Sequence, residues 1–296
     1  MSEENNIEIV NDENPLLTRV KEDLDEQNIV AFLGPPNSGK TVIATLLNDS
    51  IFTHFLEKYG DEYEANMTDG YEFLKTTRNV MLEGKFPSTT LPDNEGEVIF
   101  KIARKGPLGK GTHLRIRDIS GEDYESLIIS GDLDAEKRTD SVLRQHKTRS
   151  MRYGPLSFIV IAKMYVVMID CSLYSKWKKY DLDYAHLLNS LLDFQKVVGG
   201  DKNKITSSIA IILTKTDCLP DEVNDSAKDL IANQMQQFDK TLNMLHSGAK
   251  EYFELNIDTN RTATNEQNKD GIKVPWSYSS DEYSRLILWI LNNISR

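Results

Sequence analysis

Residues 28–41 read Asn-Ile-Val-Ala-Phe-Leu-Gly-Pro-Pro-Asn-Ser-Gly-Lys-Thr. The apolar run Ile29 to Leu33 leads straight into Gly34-x-x-x-x-Gly39-Lys40-Thr41, and an apolar helical stretch follows through Leu47. Strand, glycine-bounded loop and helix in that order are the context in which this spacing cradles a phosphate. The loop must wrap an anion with backbone N–H groups, so a side chain at Gly34 or Gly39 would obstruct the turn or the close approach. Asn37, Ser38 and Gly39 are the expected donors, because Pro35 and Pro36 carry no N–H. Lys40 is expected to reach the β- and γ-phosphates and Thr41 to offer its hydroxyl to Mg²⁺.

Two later segments narrow the nucleotide. Residues 114–122, Leu-Arg-Ile-Arg-Asp-Ile-Ser-Gly-Glu, place an Asp-x-x-Gly (Asp118 to Gly121) after an alternating strand pattern. Before it, Val98, Phe100 and Ile102 alternate on one face, and the glycine-rich turn 105–111 joins the two strands as a hairpin. Farther on, the apolar strand Ser208-Ile-Ala-Ile-Ile-Leu213 ends in Thr214-Lys215-Thr216-Asp217. A carboxylate there can accept from both the ring N–H and the exocyclic amine of guanine while the Lys215 stem lies over the ring. Adenine has no such donor pair. Residues 164–169 read as the strand beside 210–213.

Together these segments resemble the Ras-like GTPase superfamily: 34–41 the phosphate loop, 118–121 the switch II motif, and 214–217 the guanine-specificity motif. The resemblance spans residues 28–296, with inserts. Within it, Gly84-Lys-Phe-Pro-Ser-Thr-Thr90 and residues 274–283 resemble the large prokaryotic double-GTPase families. The resemblance implies a three-layer α/β fold, with a mostly parallel six-stranded sheet and one antiparallel edge strand. It also implies GTP/GDP over the carboxyl ends of the strands, and a switch output that passes to a protein effector or activating partner. Thr41, Thr90 and Asp118 are its implied Mg²⁺ ligands, with Thr89 an alternative to Thr90 that spacing does not separate. Gly121, Thr214, Lys215, Asp217 and Ser279 join the phosphate loop as implied nucleotide contacts, and Lys40, Glu122 and Thr90 are the implied catalytic residues. Tyr278 belongs with Ser279 in the same expectation, although Ser279 to Glu282 is also a capping-box pattern opening a terminal helix.

The departures carry information too. Gly34 and Asp118 are 84 positions apart, and Asp118 and Asp217 are 99 apart, more than a minimal domain of this type needs. Two inserts account for the excess. The first, near 55–84, shows a helical pattern with Tyr71, Leu74, Met81 and Leu82 near one face. The second, near 124–153, carries Lys137, Arg138, Arg144, Lys147, Arg149 and Arg152 against Asp140 alone between positions 137 and 152. Arg144, Arg149 or Arg152 could stabilise a transferring phosphoryl group in cis, but a solvated or partner-binding patch is the weightier reading. Glu122 stands where Ras-like proteins usually have a water-orienting glutamine, and a carboxylate there repels phosphate oxygens unless protonated, paired or turned away. A GTP-binding scaffold with little turnover is therefore one alternative. A P-loop ATPase with an accidental Thr214 to Asp217 match is another.

Composition sets the outer bounds. The 296 residues allow one large or two small domains, and 39% hydrophobic with 27% charged residues is the balance of a globular chain. Residues 1–27 hold nine acidic against two basic side chains, so −7 of the net −11 lies in an N-terminal extension expected to be partly disordered. Such an acidic chain argues against nucleic-acid binding. Two cysteines, Cys171 and Cys218, and no signal-peptide pattern fit a reducing, cytoplasmic setting. The longest apolar stretch, 156–169, contains Lys163 and is shorter than the ~20 residues of a spanning helix, so no membrane insertion is expected. The five histidines show no metal-ligand spacing.

Overall fold

The computed structural model describes residues 28–83, 85, 97–106, 111–118, 124, 127–128, 159–197, 203–258 and 277–294. In chain order the first elements are β1 (Asn28–Leu33), α1 (Lys40–Ser50), a π-helical turn (Ile51–Phe55), α2 (Leu56–Tyr59), β2 (Tyr63–Asp69) and α3 (Tyr71–Leu82). The hairpin β3 (Glu97–Arg104) and β4 (Gly111–Asp118) follows, then β5 (Met164–Asp170), a 3₁₀ turn (Cys171–Lys176) and α4 (Trp177–Val197). Next come β6 (Ser208–Thr214), a 3₁₀ turn (Thr216–Cys218), α5 (Ala227–Gln234), α6 (Gln236–Leu245) and β7 (Lys250–Leu255). The short pair β8 (Ile257–Asp258) and β9 (Ser277–Tyr278) then precedes α7 (Ser280–Asn293).

The main sheet has seven strands in the order β2-β3-β4-β1-β5-β6-β7. From β4 to β7 all neighbours are parallel, while β3 is antiparallel to both β4 and β2. This corrects the expectation of six strands: the first insert contributes β2 as well as a helix. The reversed strand therefore lies second from the edge. In β2, Tyr63, Ala65 and Met67 pack inward against the core while Glu64 and Asn66 are exposed. With alanine as one of three inward residues, the period-two signal is faint beside the helical pattern that follows it. In α3, Leu74 and Met81 are buried as expected, but Tyr71 is 58% exposed and leaves the apolar face.

Strand alternation divides the core in two. Ile29, Ala31 and Leu33 of β1 face one apolar cluster with Tyr165, Val167 and Ile169 of β5, covered by α4, α5 and α6. Val30 and Phe32, with Val166 and Met168, face the other, covered by α1, α3 and α7. Every residue of β5 and β6 is buried, the signature of parallel strands with helices on both faces. The result is three layers with all the parallel strands ending on one side, where the phosphate loop emerges. Among the described residues no helix is long and apolar enough to cross a membrane.

On the face covered by α6, His246 Nε2 lies 3.0 Å from the Ser207 carbonyl. Burial holds this imidazole below its ordinary 6.5, helped by the Lys250 charge and opposed by that hydrogen bond. The unfolded chain therefore binds the proton first as pH falls. His246 contributes its stability fully above about pH 6.5, and that stability is lost as the pH drops through the folded value. Thermal melts at pH 7.5 and pH 5.5 should show a smaller acid-side loss in His246→Gln than in the wild type; equal losses would remove His246 from the acid limb.

Candidate functional site: the phosphate loop and its clasp

β1 is buried from Ile29 onward and delivers the chain to Gly34, where a Cβ would lie 2.7 Å from Ser38 Oγ and 3.1 Å from the Met168 carbonyl oxygen. A side chain there would push the Ser38 hydroxyl aside and press on the Met168 carbonyl. The loop then turns back, with Ser38 N donating to the Pro35 carbonyl at 3.2 Å. Asn37 (φ 63°) and Gly39 (φ 92°) both take left-handed backbone. Asparagine tolerates that region better than most side chains, and glycine adopts it without a Cβ penalty. Left-handed residues on either side of Ser38 are the backbone habit of anion-binding concavities. The hydroxyl of Ser38 is buried without a hydrogen-bond partner among the described residues.

α1 begins at Lys40 with no side-chain cap and no acidic residue in its first turn. Its N-terminal N–H groups and dipole thus favour an anion, with no carboxylate competing in that turn. Lys40 is 6% exposed, and its ammonium donates to the carbonyls of Gly34 (2.9 Å) and Pro35 (3.0 Å). The cation is folded across the mouth of its own loop. Thr41, one position on, is half-buried.

Two residues at the end of β6 grip the loop from the side. Thr214 Oγ1 donates to the Ser38 carbonyl at 2.8 Å, and Lys215 Nζ donates to the Asn37 carbonyl at 2.7 Å. Lys215 is itself left-handed (φ 56°) and forms a 2.6 Å ion pair with Asp170 at the end of β5. Asp217 follows in the 3₁₀ turn and is exposed. Gly34, Asn37, Ser38, Gly39, Lys40, Thr214 and Lys215 are thus brought into one cluster, 176 residues apart in sequence at the Ser38 to Thr214 contact.

The remaining expectations divide. Asp118 is described as the last backbone position of β4, in register with Phe32 two residues before Gly34, so its backbone stands at the mouth of the loop. Thr41 lies on the first turn of α1; among the described residues no group of three His, Cys, Asp or Glu could hold a metal. Thr89, Thr90, Gly121, Glu122 and the basic segment 137–152 lie outside the described residues. Ser279 caps α7, its hydroxyl accepting from Glu282 N at 3.4 Å.

Tyr278 points elsewhere: its hydroxyl donates to Asp49 Oδ2 at 2.8 Å, and its ring packs against Tyr283 and His54. Burial, then the Asp49 charge, push that phenol far above its usual range. Asp49 is nine residues along α1 from Lys40, about 13 Å at the helical rise. Tyr278 therefore ties α7 to the far end of α1. The cysteines are not activated: burial and the Asp170 charge raise the Cys171 thiol, and burial and Asp217 raise that of Cys218.

The sheet also brings a polar residue that the sequence motifs do not include level with Lys215. Leu255 at the end of β7 pairs with Thr214, so Asn256 lies one strand over from Lys215. Its Oδ1 is buried without a partner among the described residues. In sequence its one signal is a polar residue directly after the Phe253 and Leu255 alternation.

No family model matches the chain, and no curated protein matches it. Among solved structures, it is similar to the GTPase-like domain of S. cerevisiae Ski7 bound to GTP (TM-score 0.41, 16% identity, covering 91% of this chain and 50% of that one). It is also similar to the same domain bound to GDP and inorganic phosphate (TM-score 0.39, 15% identity, with the same coverage). The chain spans about half the length of those chains.

Proposed function

We propose that this chain binds guanine nucleotide with Mg²⁺, hydrolyses GTP, and switches between GTP and GDP states read by a protein partner. The observation that carries the reading is the clasp itself: Thr214 and Lys215, the first residues of the guanine-specificity motif, are hydrogen-bonded to the carbonyls of Ser38 and Asn37 in the phosphate loop. A base reader and a phosphate cradle joined in one unit form a nucleotide site, which neither motif makes alone.

In this reading the backbone N–H groups of Asn37 and Gly39, the Ser38 hydroxyl and the N-terminus of α1 hold the phosphates, while the Ser38 N–H stays on the Pro35 carbonyl. Lys40 leaves the Gly34 and Pro35 carbonyls to meet the β- and γ-oxygens. Thr41, Asp118 and Thr90 or Thr89 hold Mg²⁺, which would neutralise charge developing on those oxygens. Gly121 lies against the γ-phosphate, and Glu122 would sit beside the attacking water. Asp217 accepts from the two guanine donors, with the Lys215 stem over the ring and Asn256 beside it, while Ser279 acts from the cap of α7. Glu122 in place of glutamine favours slow intrinsic turnover, so the scaffold reading stays as the second one. Turnover of the wild type above a Lys40→Ala control separates the two.

The deciding experiment compares fluorescent GTP and ATP analogues on the wild type and Asp217→Asn, with xanthosine triphosphate as competitor. The wild type should prefer GTP. The variant loses an acceptor and presents an amide to the guanine donors, so its GTP affinity should fall about 100-fold or more while xanthine affinity rises. ATP bound as well as GTP, unchanged by the substitution, would leave an ATPase as the surviving reading.

A further inference from the structure

We infer that Asp170 is a positioning residue for guanine-nucleotide retention, acting through Lys215; this rests on the guanine reading above. The side chain of Asp170 is 3% exposed, and a carboxylate so deeply buried persists only with a full set of partners. It has them. Oδ1 accepts from Ser172 N at 2.8 Å and from Ser172 Oγ at 2.6 Å, and Oδ2 accepts from Lys215 Nζ at 2.6 Å. The Asp170 backbone carbonyl is anchored as well, accepting from the Trp177 indole N–H at 2.9 Å.

The carboxylate is thus a fixed point, and Lys215 extends from it to the phosphate loop. One ammonium joins Asp170 Oδ2 to the Asn37 carbonyl. The peptide between Asn37 and Ser38 is then held at both ends, its carbonyl by Lys215 and its N–H by the Pro35 carbonyl. Without Asp170 the side chain, 37% exposed, regains rotamer freedom and carries an uncompensated charge beside a polyphosphate. Its ammonium would be drawn off the Asn37 carbonyl toward the phosphates, taking the stem off the base. Pre-organisation of loop and base face would be lost together, a change that shows mainly in dissociation rate.

The test is a double-mutant cycle on dissociation of a fluorescent GDP analogue from the full chain, with Asp170→Asn, Lys215→Met and the double variant. Asp170→Asn should release GDP about 10 to 100 times faster than the wild type, and the same substitution in the Lys215→Met background should add less than about twofold. A purely structural carboxylate, supporting the 171–176 turn through Ser172, would accelerate release equally in both backgrounds, and that result overturns the inference. So does release at the wild-type rate. Should Asp170→Asn fail to fold, Ser172→Ala takes its place. It keeps the ion pair but frees Oδ1 from the hydroxyl, and should speed release a few-fold with Lys215 present and not at all with methionine there; equal effects in both backgrounds count against the inference. A wild type that retains no guanine nucleotide is the separate failure of the underlying reading and is visible before any variant is made.

Discussion

Lys40→Ala is expected to lower GTP affinity by about 10² to 10⁴-fold while leaving the fold close to intact. The ammonium is folded over the phosphate loop from the first residue of α1, and its present partners are the two carbonyls of Gly34 and Pro35. Each charge-assisted hydrogen bond transferred to a phosphate oxygen contributes about 1.5–3 kcal/mol, and two of them give the stated range. The carbonyls left behind belong to a loop end, and their loss should cost the free protein only about 1 kcal/mol. Titration calorimetry with GTP and urea unfolding of the same samples separate the two effects. Wild-type affinity in the variant would place the nucleotide somewhere other than this loop, whereas lost affinity with an equally large loss of stability would reduce Lys40 to a structural clamp.

The second large effect concerns the first insert. Phe55 is fully buried in the π-helical turn, with ring centroids 5.1 Å from Tyr59 and 5.5 Å from Tyr63. Tyr63 opens β2, so this aromatic cluster connects α2 to the outermost strand of the sheet. Phe55→Ala removes a large side chain from a site closed on all sides and should destabilise the protein by about 3–5 kcal/mol. Denaturant unfolding measures it, and amide exchange should show the β2–β3 ladder opening first. A loss under about 1 kcal/mol would mean that the insert relaxes around the cavity and is an appendage to the core.

Much of the site was legible locally. The loop pattern is written in eight consecutive residues, because Gly39 takes left-handed backbone and a side chain at Gly34 would press on Ser38 within the same loop. The buried strands at residues 164–169 and 208–213 were legible for a related reason: only a strand covered on both faces runs apolar without alternation. Strand β2 was harder to read, since an edge strand half-covered on one face needs little hydrophobicity and its alternation depends on Ala65. The direction of Tyr278 was not legible either, because a tyrosine before a helix cap can face the base or the core, and the carboxylate that decides it, Asp49, is 229 residues away in sequence.

By itself the sequence determined what depends on backbone sterics and on short-range periodicity: the glycine-bounded loop between strand and helix, the alternation of strands and helices, and the place of residues 214–217 directly after a strand. Tertiary structure alone decided which distant groups became partners. It set Lys215 between Asp170 and Asn37, turned Tyr278 toward Asp49, brought Asn256 level with Lys215, and added a seventh strand beyond the hairpin. The physical reason is that sheet order and register fix those distances. A polar side chain then takes whichever partner the packing leaves within about 3 Å, since remaining buried and unpaired costs more than any local preference can return.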